Sequence, residues 1–148
     1  MKDFMKMLIP WINPYKTIYK LYLKAHKYYK KGNVLFAGYF SYKIYKKYNC
    51  YISPSAELDG EVILPHPIGI VIGDGVKIGK NVTIYQNVTL GRKNKEVAEY
   101  PNIKENVIIY CNSIVLGNVT INKNSIIGCN STVLRDVEEN SVNVGVIK

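Results

Sequence analysis

Along most of this chain an isoleucine, leucine or valine returns every sixth residue. The series runs Ile52, Leu58, Leu64, then Ile72, Ile78, Ile84, Leu90, then Ile103, Ile109, Val115, Ile121, Ile127 and Val133. A helix repeats near 3.6 residues and a strand near 2. A period of six therefore predicts short strand-and-corner units, three of which close one turn of a parallel β-helix. The thirteen units from Ile52 to Val133 predict about four turns. A second column stands two places earlier, at Ala56, Val62, Ile70, Val76, Val82, Val88, Val107, Ser113, Val119, Ser125 and Ser131. Residues two apart on a strand share a face, so both columns point inward. A third column lies three places after the repeat residue: Gly75, Asn81, Asn87, Asn106, Asn112, Asn118, Asn124 and Asn130. Glycine and asparagine best tolerate left-handed backbone, which makes these the corners.

The pattern divides the 148 residues into two parts. Residues 50–148 form the all-β repeat body, with a loop at 91–102, and residues 1–49 form a helical extension that covers one open end of the stack. Within the extension the spacing predicts two helices, roughly 14–31 and 34–48, hinged at Gly32-Asn33.

Charge sharpens this division. Residues 1–48 hold eleven lysines against Asp3, whereas residues 49–148 hold nine basic residues against ten acids, so the extension carries the whole excess of the net +9. It is also rich in tyrosine, from Tyr15 to Tyr48. A basic aromatic helix pair suits either peripheral contact with a membrane surface or a packed cap whose tyrosines cover the first coil while the lysines stay wet. Nucleic acid is not an expected partner, because the extension has no arginine and no recognition motif. Three cysteines, Cys50, Cys111 and Cys129, have no metal-like or redox-like spacing. The expected setting is a reducing cytoplasm, with the inner membrane face as a place of contact. The apolar patch from Met1 to Ile12 lacks a signal-peptide cleavage pattern, and no stretch is long enough to span a bilayer.

A solenoid reaches ligands where its period fails, since an insertion leaves the stack without disturbing the core. Between Leu64 and Ile72 there are eight steps in place of six, carrying Pro65-His66-Pro67-Ile68-Gly69. Between Leu90 and Ile103 there are thirteen, carrying the charged loop 91–102. Counting two places past the repeat residue stacks His66, Gln86, Cys111 and Cys129 in one column about 14 Å long. An extended thiol-bearing arm would lie along it with its reactive end near His66. Histidine, with an ordinary pKa near 6.5, can take a proton from a hydroxyl at neutral pH and return it. His26, the second histidine, lies in the tyrosine-rich helix as a packing or surface residue, and two histidines do not make a zinc site.

The run His66-Pro67-Ile68-Gly69-Ile70-Val71-Ile72-Gly73, followed by Asn81-Val82-Thr83-Ile84-Tyr85-Gln86-Asn87-Val88-Thr89-Leu90-Gly91, resembles the serine acetyltransferase group of hexapeptide-repeat acyltransferases. The resemblance covers about residues 50–146. It implies a left-handed parallel β-helix, a homotrimer with sites between subunits, acetyl-CoA as donor without a metal, and His66 as the general base on an acceptor hydroxyl. It also implies donor contacts from Gly91, Arg92, Cys111 and Cys129, the cysteines standing where the family has alanine, and phosphate contacts from Arg135 and Lys148. Val144–Lys148 stands where such enzymes continue into a proline-containing tail over CoA, which implies weak donor binding.

The acceptor side departs from those enzymes. Tyr51 and Pro65 stand where they have acids, and Glu99-Tyr100-Pro101 where they have an arginine-histidine-proline run. A small zwitterion needs paired counter-charges, so the expected acceptor is a hydroxyl of a surface-polysaccharide sugar, as for the acetyltransferases that decorate capsule or lipopolysaccharide. Gln86 and Tyr100 are the acceptor-site candidates, and Tyr51 is expected to orient His66. Two alternatives are a serine O-acetyltransferase of cysteine biosynthesis and a catalytically idle trimeric scaffold.

Overall fold

The computed structural model describes residues 14–148; the apolar patch at Met1–Ile12 lies outside them. Two helices, α1 (Pro14–Lys30) and α2 (Val34–Tyr48), precede fourteen short parallel strands. The strands form three ladders, the faces of a left-handed β-helical prism. Sheet A contains β1 (Tyr51–Ile52), β3 (Val71–Ile72), β6 (Thr89–Gly91), β9 (Ile114–Leu116), β12 (Thr132–Val133) and β14 (Val146–Ile147). Sheet B contains β2 (Glu57–Leu58), β4 (Lys77–Ile78), β7 (Asn102–Ile103) and β10 (Thr120–Ile121). Sheet C contains β5 (Thr83–Ile84), β8 (Ile108–Ile109), β11 (Ile126–Ile127) and β13 (Val142–Asn143).

The hexad residues stack as counted. Ile52 pairs with Ile72, Ile72 with Leu90, Leu90 with Val115 and Val115 with Val133, and Ile78 pairs with Ile103 although loop 91–102 lies between them in the chain. The loop thus counts as one unit. Except for the partly buried Leu58, the repeat residues are buried, and so is the whole second column. Each fully buried Ile, Leu or Val contributes roughly 1.5–3 kcal/mol of transfer free energy, which offsets the ordering cost of a chain with very short strands. The inward serines are satisfied, not stranded: Ser113 Oγ and Ser131 Oγ both donate to the Gly128 carbonyl, at 2.8 and 2.7 Å.

Two details differ from the sequence reading. The stack continues past Val133 through Val137, Asn143 and Ile147, which pair with Ile121, Ile127 and Val133. The count misses this turn because spacing shrinks to four at two of its corners and a polar residue takes one inward slot. At the corner after β9 the left-handed residue is Gly117 (φ 89°), not Asn118, glycine being the residue that adopts positive φ most freely.

The helices cover the first coil. Ile18, Tyr22 and Ala25 of α1 and Ala37, Ser41 and Ile44 of α2 are buried. The Tyr22 hydroxyl donates to the Ala56 carbonyl at 2.7 Å and accepts from the Leu58 N–H at 3.4 Å. Burial pushes its pKa up to about 12. His26 packs on Tyr22 and bonds through Nδ1 to the Pro54 carbonyl at 2.8 Å, the packing role expected of it. Asn49, in the left-handed conformation at the C-terminus of α2, turns the chain into β1. No helix among the described residues is long and apolar enough to cross a membrane.

Candidate active site

The three prism edges differ. At the edge between sheets B and C, Asn81, Asn106, Asn124 and Asn140 all have positive φ. Each donates its side-chain amide to the next at 3.3, 3.0 and 2.9 Å, a ladder that closes the corner from coil to coil. The edge between C and A carries Asn87 and Asn112, bonded at 3.1 Å, and above them the two-residue insertion. The edge between A and B has positive φ only at Gly75 and Gly117, and loop 91–102 leaves from it.

Backbone hydrogen bonds fix the insertion. Asn87 N–H donates to Ile68, Asn112 to Gln86 and Asn130 to Cys111. Ile68, not His66, therefore occupies the slot above Gln86, and the counted column from His66 to Cys129 is corrected to one that starts at Ile68. The two extra residues push the backbone outward at Pro65–Pro67, where the turn closes through Ile68 N–H to the His66 carbonyl at 2.8 Å. His66 is accordingly exposed at the corner. Gly69 has φ +67°, and a β-carbon there would collide with the Asn87 side chain, so the corner requires glycine.

What faces His66 is aromatic. Its ring centroid lies 6.4 Å from that of Tyr85, which stacks on Tyr110 at 4.9 Å. The sequence reading overlooked these two tyrosines, although each stands one place before a residue it selected, Gln86 or Cys111. The Gln86 Oε1 is buried without a hydrogen-bond partner. A buried acceptor of this kind costs about 1–3 kcal/mol unless a donor reaches it, which marks the place for a ligand N–H or O–H. Below it, Cys111 is partly buried and Cys129 exposed. The hydrogen bond with Cys129, with some desolvation, pushes the Cys111 thiol above its ordinary pKa. A thiol held neutral is a groove-lining group, not a nucleophile.

Tyr51 and Tyr100 come together elsewhere. They line a cleft of about 590 Å³ with Ser53, Ser55, Asp74, Gly75 and residues of α2. The Tyr100 ring lies against Gly75, where any β-carbon would strike it. Tyr51 makes no hydrogen bond to His66 among the described residues, so the orienting contact expected of it is not formed within one chain. The same cleft holds an acid that the sequence reading passed over: Asp74 Oδ1 accepts from Ser53 Oγ at 2.5 Å and from Ser55 Oγ at 3.2 Å. The signal for it was a charged residue between two glycines in an otherwise asparagine-marked corner series.

The expected donor residues divide between the two borders of sheet A. Cys111 and Cys129 lie on the C–A border. Gly91, which pairs with Leu116, leads to the exposed Arg92 on the A–B border. Arg135 is at the far end of that border, lining a second cleft of about 590 Å³ with Asp136, Glu138, Asn143 and Ile147. Lys148 is exposed beside it, next to Ile147. A groove of about 430 Å³ between α1 and sheet B contains none of the expected residues. Among the described residues no three metal-ligating side chains converge.

The comparisons with known proteins agree with the fold. The family model described as bacterial transferase hexapeptide (six repeats) matches residues 100–135. A serine acetyltransferase of Staphylococcus xylosus is 42% identical over 126 residues, covering 84% of this chain and 58% of the relative. A truncated serine acetyltransferase apoenzyme superposes with a TM-score of 0.84 at 32% identity, over 87% of this chain and 54% of that one. A serine acetyltransferase in complex with CoA gives 0.81 at 30% identity, over 86% and 53%. The chain thus spans a little over half the length of these relatives. In repeat and fold the chain is a hexapeptide-repeat β-helix, and in sequence it is similar to the serine acetyltransferases.

Proposed function

We propose that this chain is an acetyl-CoA-dependent O-acetyltransferase that transfers acetyl to the hydroxyl of serine, with His66 as general base. The likeness to a CoA-bound serine acetyltransferase over 86% of the chain carries this reading. The sequence analysis favoured a polysaccharide sugar, but the relatives reported above are serine acetyltransferases, and the order of the two acceptors is reversed accordingly. The argument from missing counter-charges also weakens, because Asp74 supplies a carboxylate to the cleft of Tyr51 and Tyr100, suited to an α-ammonium group.

In this mechanism His66 removes the hydroxyl proton as the oxygen attacks the thioester carbonyl. The tetrahedral oxyanion collapses, the C–S bond breaks, and the proton passes from His66 to the leaving thiolate. Backbone N–H groups at the corner hold the oxyanion. Gln86 accepts a hydrogen bond from the substrate, the pantetheine arm runs beside Cys111 and Cys129, and Gly91, Arg92, Arg135 and Lys148 contact the rest of CoA.

The working unit is a homotrimer with each site between copies. Two of its three faces favour this: the outward residues of sheet A include Tyr51, Val71, Ile114 and Val146, and those of sheet C Ile63, Ile108, Ile126 and Val142, while sheet B presents Glu57, Lys77, Asn102 and Thr120. Apolar faces of this kind are interface material. An assembly also brings residues on the two borders of sheet A to one donor site. Residues 50–148 form the transferase body and residues 1–49 its cap.

The test is thiol release from acetyl-CoA with serine and with a panel of sugars, for the wild type, His66→Ala and Asp74→Asn. Serine-dependent release, lost in His66→Ala and with a raised KM for serine in Asp74→Asn, is expected. Release with a sugar alone would favour the second reading, in which the Tyr51 and Tyr100 rings pack on a sugar face. No release and no acetyl-CoA binding would leave the idle scaffold.

A further inference from the structure

Helix α2 has two unlike faces. Ala37, Ser41 and Ile44 turn inward and are buried. At 100° per residue the opposite side carries Leu35, Tyr39 and Tyr42 as one stripe. Leu35 is 87% exposed, Tyr39 50% and Tyr42 56%, with Phe36 at 52% and Tyr45 at 55% beside them. The Tyr28 ring of α1 stacks on Phe36 at 5.1 Å, while Leu35, Tyr39 and Tyr42 stay open among the described residues. Lysines rim it: Lys43 Nζ stands 4.6 Å from the Tyr39 ring centroid, and Lys46 and Lys47 follow in the last turn. Across residues 14–48 there are nine lysines and no acid or arginine, while the rest of the described chain is close to neutral.

We propose that this outer face of α2 docks on an anionic lipid surface. Leu35 enters the boundary between headgroups and acyl chains, tyrosine rings lie at headgroup level, and lysines extend their stems over the apolar surface to meet lipid phosphates. Charge selects this occupant over a second copy of the chain, since two such faces would bring their lysines together without an acid between them. Docking would be peripheral, because no described helix can cross a bilayer. The last residue of the helix is followed by Asn49, whose carbonyl accepts from Gly69 N–H at 2.9 Å. The docked helix would therefore hold the His66 corner a short distance behind the lipid surface. The proposal stands independently of the acceptor assigned above.

The test is co-sedimentation of the full chain with vesicles of phosphatidylcholine, with and without phosphatidylglycerol. The wild type, Leu35→Glu/Tyr39→Glu and Lys43→Gln/Lys46→Gln/Lys47→Gln are compared, with thermal unfolding of each as the folding control. The exposed positions leave the unfolding temperature unchanged. Binding should require phosphatidylglycerol, weaken with salt, fall about fivefold per lysine removed and be lost in the glutamate variant. Equal binding by wild type and glutamate variant, binding that ignores phosphatidylglycerol, or no binding at all would overturn the proposal. So would wild-type self-association that the glutamate variant abolishes, which would identify a second copy as the occupant. Loss of binding on deletion of residues 1–13 alone, with the α2 variants still bound, would also overturn it by moving the contact to that segment.

Discussion

Where sheets B and C meet, four asparagines pass a side-chain hydrogen bond from coil to coil, and each has the left-handed backbone that a tight corner needs. Where sheets C and A meet, one such bond joins Asn87 to Asn112, and the coil above them admits two extra residues and turns His66 outward. The two edges come from the same hexapeptide rule. One obeys it throughout and links each asparagine of its ladder to the next by a side-chain hydrogen bond. The other breaks it, exposes an imidazole, leaves the Gln86 side-chain Oε1 unpartnered and stacks two tyrosines beside the break. In a solenoid, regularity is what stability requires, and the departures are where chemistry can be placed.

If this comparison is right, the largest losses of stability come from positions that serve both edges. Ile109 is fully buried in the middle of sheet C. Ile109→Ala should lower unfolding stability by about 2–5 kcal/mol in chemical denaturation at fixed protein concentration. A loss much below this would mean that the coil collapses into the void and that the column is less tightly packed than described.

Asn106 sharpens the contrast. Its φ of +59° and its place inside the ladder predict that Asn106→Ala costs about 1–2 kcal/mol. Asn106→Gly, which keeps the backbone and deletes only the side-chain bonds, should cost less. Equal losses in the two variants would place the stabilisation in the ladder bonds and not in the conformation.

The cap gives a smaller effect with a defined pH dependence. Tyr22→Phe removes the bonds to Ala56 and Leu58, a loss of about 1 kcal/mol near neutrality. Because the folded-state pKa of Tyr22 is about 12 against an ordinary 10, its contribution is complete below pH 10. It is lost as pH rises from 10 to 12, since the unfolded chain gives up that proton first. The wild type should therefore lose stability more steeply than Tyr22→Phe across that window in alkaline denaturation. Smallest is the exposed Lys123–Glu105 pair at 3.5 Å, beside the ladder. Lys123→Ala should change stability by no more than about 1 kcal/mol and by less at high salt.

Most of this architecture was legible in the sequence because the physics of a solenoid is local. Apolar residues at a fixed spacing of six can be buried together only by coiling, so Ile72, Leu90 and Val115 fell in one ladder even across loop 91–102. The asparagines were legible because few other residues tolerate positive φ. The last turn was not, since Asn143 occupies an inward slot and the steps from Val133 to Val137 and from Asn143 to Ile147 are short. The site was half legible. His66 stood out because it interrupts the period, but the same interruption shifted the register, so simple counting placed it over Gln86 where Ile68 belongs. Tyr85, Tyr110 and Asp74 sit on outward positions, where the repeat constrains nothing and only three-dimensional neighbours reveal a role. The preference for a sugar acceptor read absent charges from single positions, and a carboxylate one coil on from Tyr51 supplied one.

The central claim is that the broken edge serves chemistry and the unbroken one stability. The most direct test measures two quantities on two variants: serine-dependent thiol release from acetyl-CoA and the unfolding temperature, for His66→Ala and Asn106→Ala. The account predicts that His66→Ala loses about 10²- to 10⁴-fold in rate with an unfolding temperature like that of the wild type, while Asn106→Ala unfolds at lower temperature and retains its rate when folded. A His66→Ala protein that keeps its rate, or one that loses rate and stability together as Asn106→Ala would, contradicts it.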